Sequence, residues 1–150
     1  MAVKSRLERM IFKRLTDDAA ISAVVGTKVS PVLLDQEIQL PALIYEITGT
    51  NPLRHLTTRN NLIQADCDIL CMGTTYLQTT ELGELVRLNL SGFSGTVAVP
   101  SDVEGQTENV QVLGCSHTDD RNEYSTPVDG GRTGAFIRRL SFLISYRPEA

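Results

Sequence analysis

The feature that constrains this chain most is an alternation near its end, Ala135 to Tyr146 (AFIRRLSFLISY). Phe136, Leu140, Phe142, Ile144 and Tyr146 fall on one face, and Arg139, Ser141, Ser145 and Arg147 on the other. A period of two means a strand, and a strand with one apolar face needs a sheet around it and a layer to cover it. A second run, Asn61 to Met72, alternates in the same way. Ile63, Ala65, Cys67, Ile69 and Cys71 share one face, while Gln64, Asp66 and Asp68 share the other. Together these runs commit the chain to a sheet buried on one side.

The covering layer is legible as helical spacing. Val3, Leu7, Met10, Ile11 and Leu15 recur at the helical period with Arg6, Arg9 and Lys13 opposite, so an amphipathic helix opens the chain. Asp17 or Asp18 can cap a second short helix that runs through Val25, and Gly26 can close it. Pro31 and Pro41 bracket an irregular link, and Ala42 to Gly49 (ALIYEITG) reads as a strand. Gly73 and Thr74 mark a turn and cap before a third helix. There Leu77, Glu81, Leu82, Leu85, Val86 and Leu88 continue a helical pattern to about Leu90. Gly83 inside that helix costs about 1 kcal/mol relative to Ala, which points to close helix-on-sheet packing. Gly95 to Pro100 is a short strand, and Asn109 to His117 another whose alternation slips around Gly114, as at a bulge. The expectation is an α+β domain covering residues 1–150: an antiparallel or mixed sheet of about four to five strands with two to three helices on one face.

At 150 residues the chain has the size of one ordinary domain, and such a domain buries about 70% of the surface its unfolded chain exposes. No window approaches the run of about 20 apolar residues that crosses a bilayer, and the basic start (MAVKSRLERMIFKRL) lacks the apolar stretch of a secretory signal. No membrane role is expected, and the chain is expected to stay in the compartment where it is made. A net charge of −4 argues against generic nucleic-acid binding, which clusters Lys and Arg to neutralise phosphates. The basic face of the first helix could meet anionic lipid or nucleic acid, or simply be solvated; it is short and has no interfacial aromatics.

Three cysteines, Cys67, Cys71 and Cys115, are an odd number without a CxxC spacing, so neither a disulfide framework nor a zinc site is indicated. On a strand, Cys67 and Cys71 stand roughly 13 Å apart, too far to share a metal. Both lie on the apolar face, where packing is their role. Asp66 and Asp68 form an Asp-x-Asp that could hold a divalent cation. On the polar face of a strand they instead make cross-strand pairs with Arg139 or Arg147, and no Gly-rich phosphate cradle accompanies them. His55 and His117 are the only histidines, and no GxSxG, HExxH, Walker A or GxGxxG is present. No catalysis, metal or cofactor is expected.

Two polar excursions interrupt the core pattern. Residues 50–60 carry Pro52, Arg54, His55 and Arg59 and read as a surface loop. Residues 118–134 (TDDRNEYSTPVDGGRTG) read as a long acidic loop with Asp119, Asp120, Arg121, Glu123, Tyr124 and Arg132, in which Asp129, Gly130 and Gly131 could turn a hairpin. A loop of that length in a compact domain is either functional or a solvated connection, and Tyr and Arg are enriched where proteins meet. These nine charged and aromatic residues are the candidate interface.

The order of segments resembles the tail completion or tail terminator proteins of long-tailed, non-contractile bacteriophages. The resemblance covers nearly the whole chain. It rests on Gly26 to Pro31 (GTKVSP), Leu40 to Tyr45 (LPALIY), Ile63 to Cys67 (IQADC), the later helix, the acidic Asp119 to Tyr124, and Leu140 to Tyr146 (LSFLISY). The last strands carry no Trp, where relatives often have one. What it implies is a non-catalytic subunit, made in the host cytoplasm and resident in the virion neck. Such a subunit forms a homohexameric ring, caps the tail tube protein, ends tube polymerisation and joins the head-completion or connector protein. DNA would pass through the ring without specific binding, as suits a net acidic subunit. The alternatives are another neck or tail component, such as a head-completion or tube protein, and, from a different class, a small-molecule-binding domain or enzyme.

Overall fold

Helix α1 (Ala2–Thr16) forms where the 3.6-residue spacing of Leu7, Met10, Ile11 and Leu15 puts four apolar side chains on one stripe, and all four are buried. Its polar side is not simply solvated: Arg6 Nε pairs with Glu108 at 2.6 Å, and Arg9 Nη1 donates to the Pro100 carbonyl at 2.7 Å. These bonds tie the helix to the strands beneath it. Helix α2 (Ala19–Val25) is capped by Asp18, whose carboxylate accepts from the N–H groups of Ala20 and Ile21. It stops at Gly26, whose φ of 62° is open to glycine at little cost. This computed structural model describes residues 2–31, 40–52, 62–101, 105–125 and 135–147.

The remaining elements are β1 (Val29–Pro31), β2 (Ala42–Pro52), β3 (Ile63–Gly73), α3 (Tyr76–Leu90), β4 (Gly95–Pro100), β5 (Thr107–Ser125) and β6 (Ala135–Arg147). The strands form one sheet in the order β1-β2-β3-β6-β5-β4. Only β1 and β2 run parallel, so the sheet is mixed. The two alternating runs become its centre, with Ile63 opposite Tyr146 and Ile69 opposite Leu140. Their apolar face, from Ala65 and Cys67 to Phe142 and Ile144, meets Leu82 and Val86 of α3 and the buried stripe of α1 in one core. That layering is the one the two periodicities require: period two on the sheet, 3.6 on the helices.

Four expectations change. The sheet has six strands where about four to five were expected, because Val29–Pro31, assigned to no strand and ending where the irregular link begins, pairs with Leu43–Tyr45. The supposed loop at 118–134 is strand as far as Ser125 and again from Ala135, since cross-strand partners hold it there. Thr50 to Pro52 likewise belong to β2, paired with Ile63 to Ala65. On α3, Leu77 and Leu88 are 66% and 69% exposed and lie off the packed stripe, which runs through Thr79, Leu82, Gly83, Val86 and Leu90. The slip around Gly114 is a bulge between Val112 and Gly114, and a second follows between His117 and Asp119.

Candidate functional site

Beyond the second bulge, β5 and β6 form an arm in which Asp119 to Ser125 pair with Ser141 to Ala135. Alternation turns Asp120, Asn122 and Tyr124 toward the helix side, and Asp119, Arg121 and Glu123 toward the outer face of the sheet. Each side is organised by one arginine of β6.

On the helix side, Arg138 chelates Asp120 with Nε at 3.0 Å from Oδ1 and Nη2 at 2.6 Å from Oδ2. The same guanidinium donates to the Thr80 carbonyl and to Glu84 Oε1, both on α3 at 3.0 Å. Only 11% of its side chain is exposed. Gly83 is what admits it: a Cβ there would lie 2.5 Å from Arg138 Cδ and 2.8 Å from Nη1. The bidentate pair raises the arginine's pKa further and holds the Asp120 carboxyl below the ordinary carboxylate range.

On the outer face, Arg139 Nη1 lies 3.1 Å from Asp68 Oδ2, and its Nε is 3.3 Å from Glu123. Ser141 Oγ donates to the other Asp68 oxygen at 2.7 Å. The expected pairing of the Asp-x-Asp with the last strand is therefore present at Asp68, while Asp66 stands exposed opposite Leu143. Asp119 and Arg121 pair with each other at 2.7 Å.

At the far end of the arm three rings meet. Phe136 lies 4.8 Å from Tyr124 and 6.4 Å from Tyr76 of α3, between ring centroids, and both tyrosines are more than half exposed. With Thr79, Asn122 and Ile137 they line a hollow between the first turn of α3 and the edge of the sheet. Exposed aromatic rings in contact are the anchors from which protein interfaces draw most of their affinity.

Of the nine candidate interface residues, the structure brings Asp119, Asp120, Arg121, Glu123 and Tyr124 together on one strand. Asp120, Glu123 and the Asp119–Arg121 pair are already engaged within the chain, and Tyr124 remains the most available. Arg54, His55, Arg59 and Arg132 lie outside the described residues. Sequence reasoning missed Arg138, Phe136 as a ring partner, and Tyr76. The signal for Arg138 was a charge in the apolar register between Phe136 and Leu140.

Among the described residues no group of His, Cys, Asp and Glu could hold a metal ion, and no helix is long and apolar enough to cross a membrane. Cys67, Cys71 and Cys115 are buried free thiols. Burial pushes all three thiol pKa values up, that of Cys115 to about 12. They are packing residues, far from the thiolate form that chemistry uses.

No protein-family model matches the chain, and no curated protein matches it. Among solved structures, its fold is similar to that of a chain from the virion of a native gene transfer agent particle. The two superpose with a TM-score of 0.65 at 15% identity, over 97% of this chain and 96% of that one. The likeness is one of fold, end to end.

Proposed function

We propose that this chain is a structural virion protein of the tail-terminator kind. It forms a homohexameric ring, caps the tail tube, ends tube polymerisation and joins the tail to the head connector, without catalysis. The observation that carries this reading is the end-to-end likeness of fold to a chain of a gene transfer agent virion. The order of segments that resembles the tail terminators points the same way.

The geometry supports an assembly role. A ring built by head-to-tail contacts sets one patch of each subunit against a different patch of its neighbour. The arm supplies a patch: it is stiffened by a largely buried arginine and carries the exposed ring of Tyr124. The interface assigned here comprises Asp119, Asp120, Arg121, Glu123 and Tyr124 on the arm, with Arg132 beyond it, and Arg54, His55 and Arg59 as the opposing patch. That opposing segment is basic where the arm is acidic, which suits contact between neighbours.

The test is the mass of the purified chain by light scattering, alone and with tail tubes, and electron microscopy of tube ends. Ring-sized particles and capped tubes of fixed length are expected. A strict monomer that leaves tube growth unchanged overturns the proposal.

A further inference from the structure

We infer that the arm is a strand acceptor: an extended segment of a partner protein adds to the outer edge of β5 and seats an apolar side chain in the Tyr76–Tyr124–Phe136 hollow. This inference builds on the assembly reading above but makes a separate claim about the partner's chemistry.

The edge is open. β4 covers β5 only from Thr107 to Val112, and the Gly92 N–H reaches the Cys115 carbonyl; from Ser116 to Ser125 no described backbone group pairs with the outer side. Which groups point outward can be deduced. The Asp120 N–H is taken by its neighbour's Asp119 Oδ1 at 2.9 Å and so faces away from β6. Strand alternation then turns the N–H and C=O of Asn122 and Tyr124 outward as well. Those two residues also line the aromatic hollow. Unpaired backbone and a side-chain pocket therefore stand side by side, with α3 forming the opposite wall. In strand addition the backbone ladder supplies affinity and such a pocket supplies selectivity.

The occupant's chemistry follows from the walls. An open edge demands an extended backbone, and three rings demand an aromatic or long aliphatic side chain. The charge beside it is set by the strand that offers the edge, where Asp119, Asp120 and Glu123 outnumber Arg121 and Glu123 lines the hollow. That excess of acid favours a Lys or Arg next to the apolar anchor. Elsewhere the edge defends itself: the bulges and the Asp119–Arg121 pair discourage indiscriminate pairing, leaving Asn122 and Tyr124 as the acceptor.

The experiment has two parts. First, the full chain is titrated with a capped seven-residue strand peptide carrying a central phenylalanine and an adjacent lysine, and backbone amide resonances are followed. Binding with shifts concentrated at Asn122 to Ser125 and Tyr76 is expected, weakened about ten-fold by Tyr76→Ala with Tyr124→Ala and by alanine in place of the peptide's phenylalanine. Asn122→Pro, at a position whose N–H serves no partner in β6, should abolish binding while thermal unfolding stays cooperative. No binding at millimolar peptide, or binding unaffected by these changes, overturns the inference. Second, amide exchange at Asp119 to Ser125 is compared in the free chain and in assembled particles. A chain that enters particles with these amides still exchanging freely sinks the strand acceptor and leaves the virion role standing. A chain absent from particles sinks the virion role, and the titration alone then decides the acceptor.

Discussion

Arg138 is the residue on which the arm's position depends, and Gly83 is the residue that allows it. An alanine at 83 gains about 1 kcal/mol of helix propensity but sets its methyl 2.5 Å from Arg138 Cδ. Displacing a guanidinium that holds Asp120, Glu84 and the Thr80 carbonyl costs more, so Gly83→Ala is expected to lose about 1–3 kcal/mol net in urea unfolding. With Arg138→Ala already in place, the same change should become neutral or stabilising; equal losses in both backgrounds would show the two are not coupled. Tyr146 gives the opposite sign. It is fully buried, burial pushes its pKa up to about 12, and its hydroxyl has no partner among the described residues. Tyr146→Phe removes an unpaired polar group without leaving a void, and a gain of about 1 kcal/mol is expected in the same measurement.

At the scale of elements, the central strands and the covering helices were legible because their burial repeats at a fixed period. Burial alternates from Ala65 to Cys71 and from Leu140 to Tyr146, with Leu70 and Leu143 the apolar residues on the outer face, and Leu7 to Leu15 keep their stripe. The arm was not legible, because an acidic, exposed hairpin has no apolar face to repeat. What makes Asp119 to Ser125 a strand is pairing with Ser141 to Ala135 of β6, notably with Arg138 and Phe136, which local propensity does not register. β1 was hidden for a similar reason: three residues show no period. The arm's dependence on ionic pairing also gives it a pH response. Asp120 has a lowered carboxyl pKa in the folded chain, so its contribution is complete above the unfolded value of about 4 and drains away as pH falls through the lower folded value. Asp120→Asn should therefore be less stable than the parent near pH 6, and the gap should close toward about pH 3. A gap that stays constant across that range would mean the pair contributes nothing.

For the whole molecule, a prediction separates folding from assembly. Arg121 has a 65% exposed side chain and among the described residues its ion pair is with Asp119, so Arg121→Glu is expected to leave unfolding essentially unchanged. If the arm is an interface, that reversal should nonetheless abolish ring-sized species in light scattering; unchanged rings would remove Arg121 from the contact. The same strand has a mechanical side. β5 runs as one strand from Thr107, beneath α1, to Ser125 in the arm, flanked by β4 from Thr107 to Val112 and by β6 from Gln111 to Ser125. A pull on the arm travels along that backbone and loads the hydrogen bonds to β6, and behind them those to β4, in shear, many at once, where a detached loop would let go one bond at a time. The arm is therefore anchored as a tendon is, by its length inside the body it pulls on.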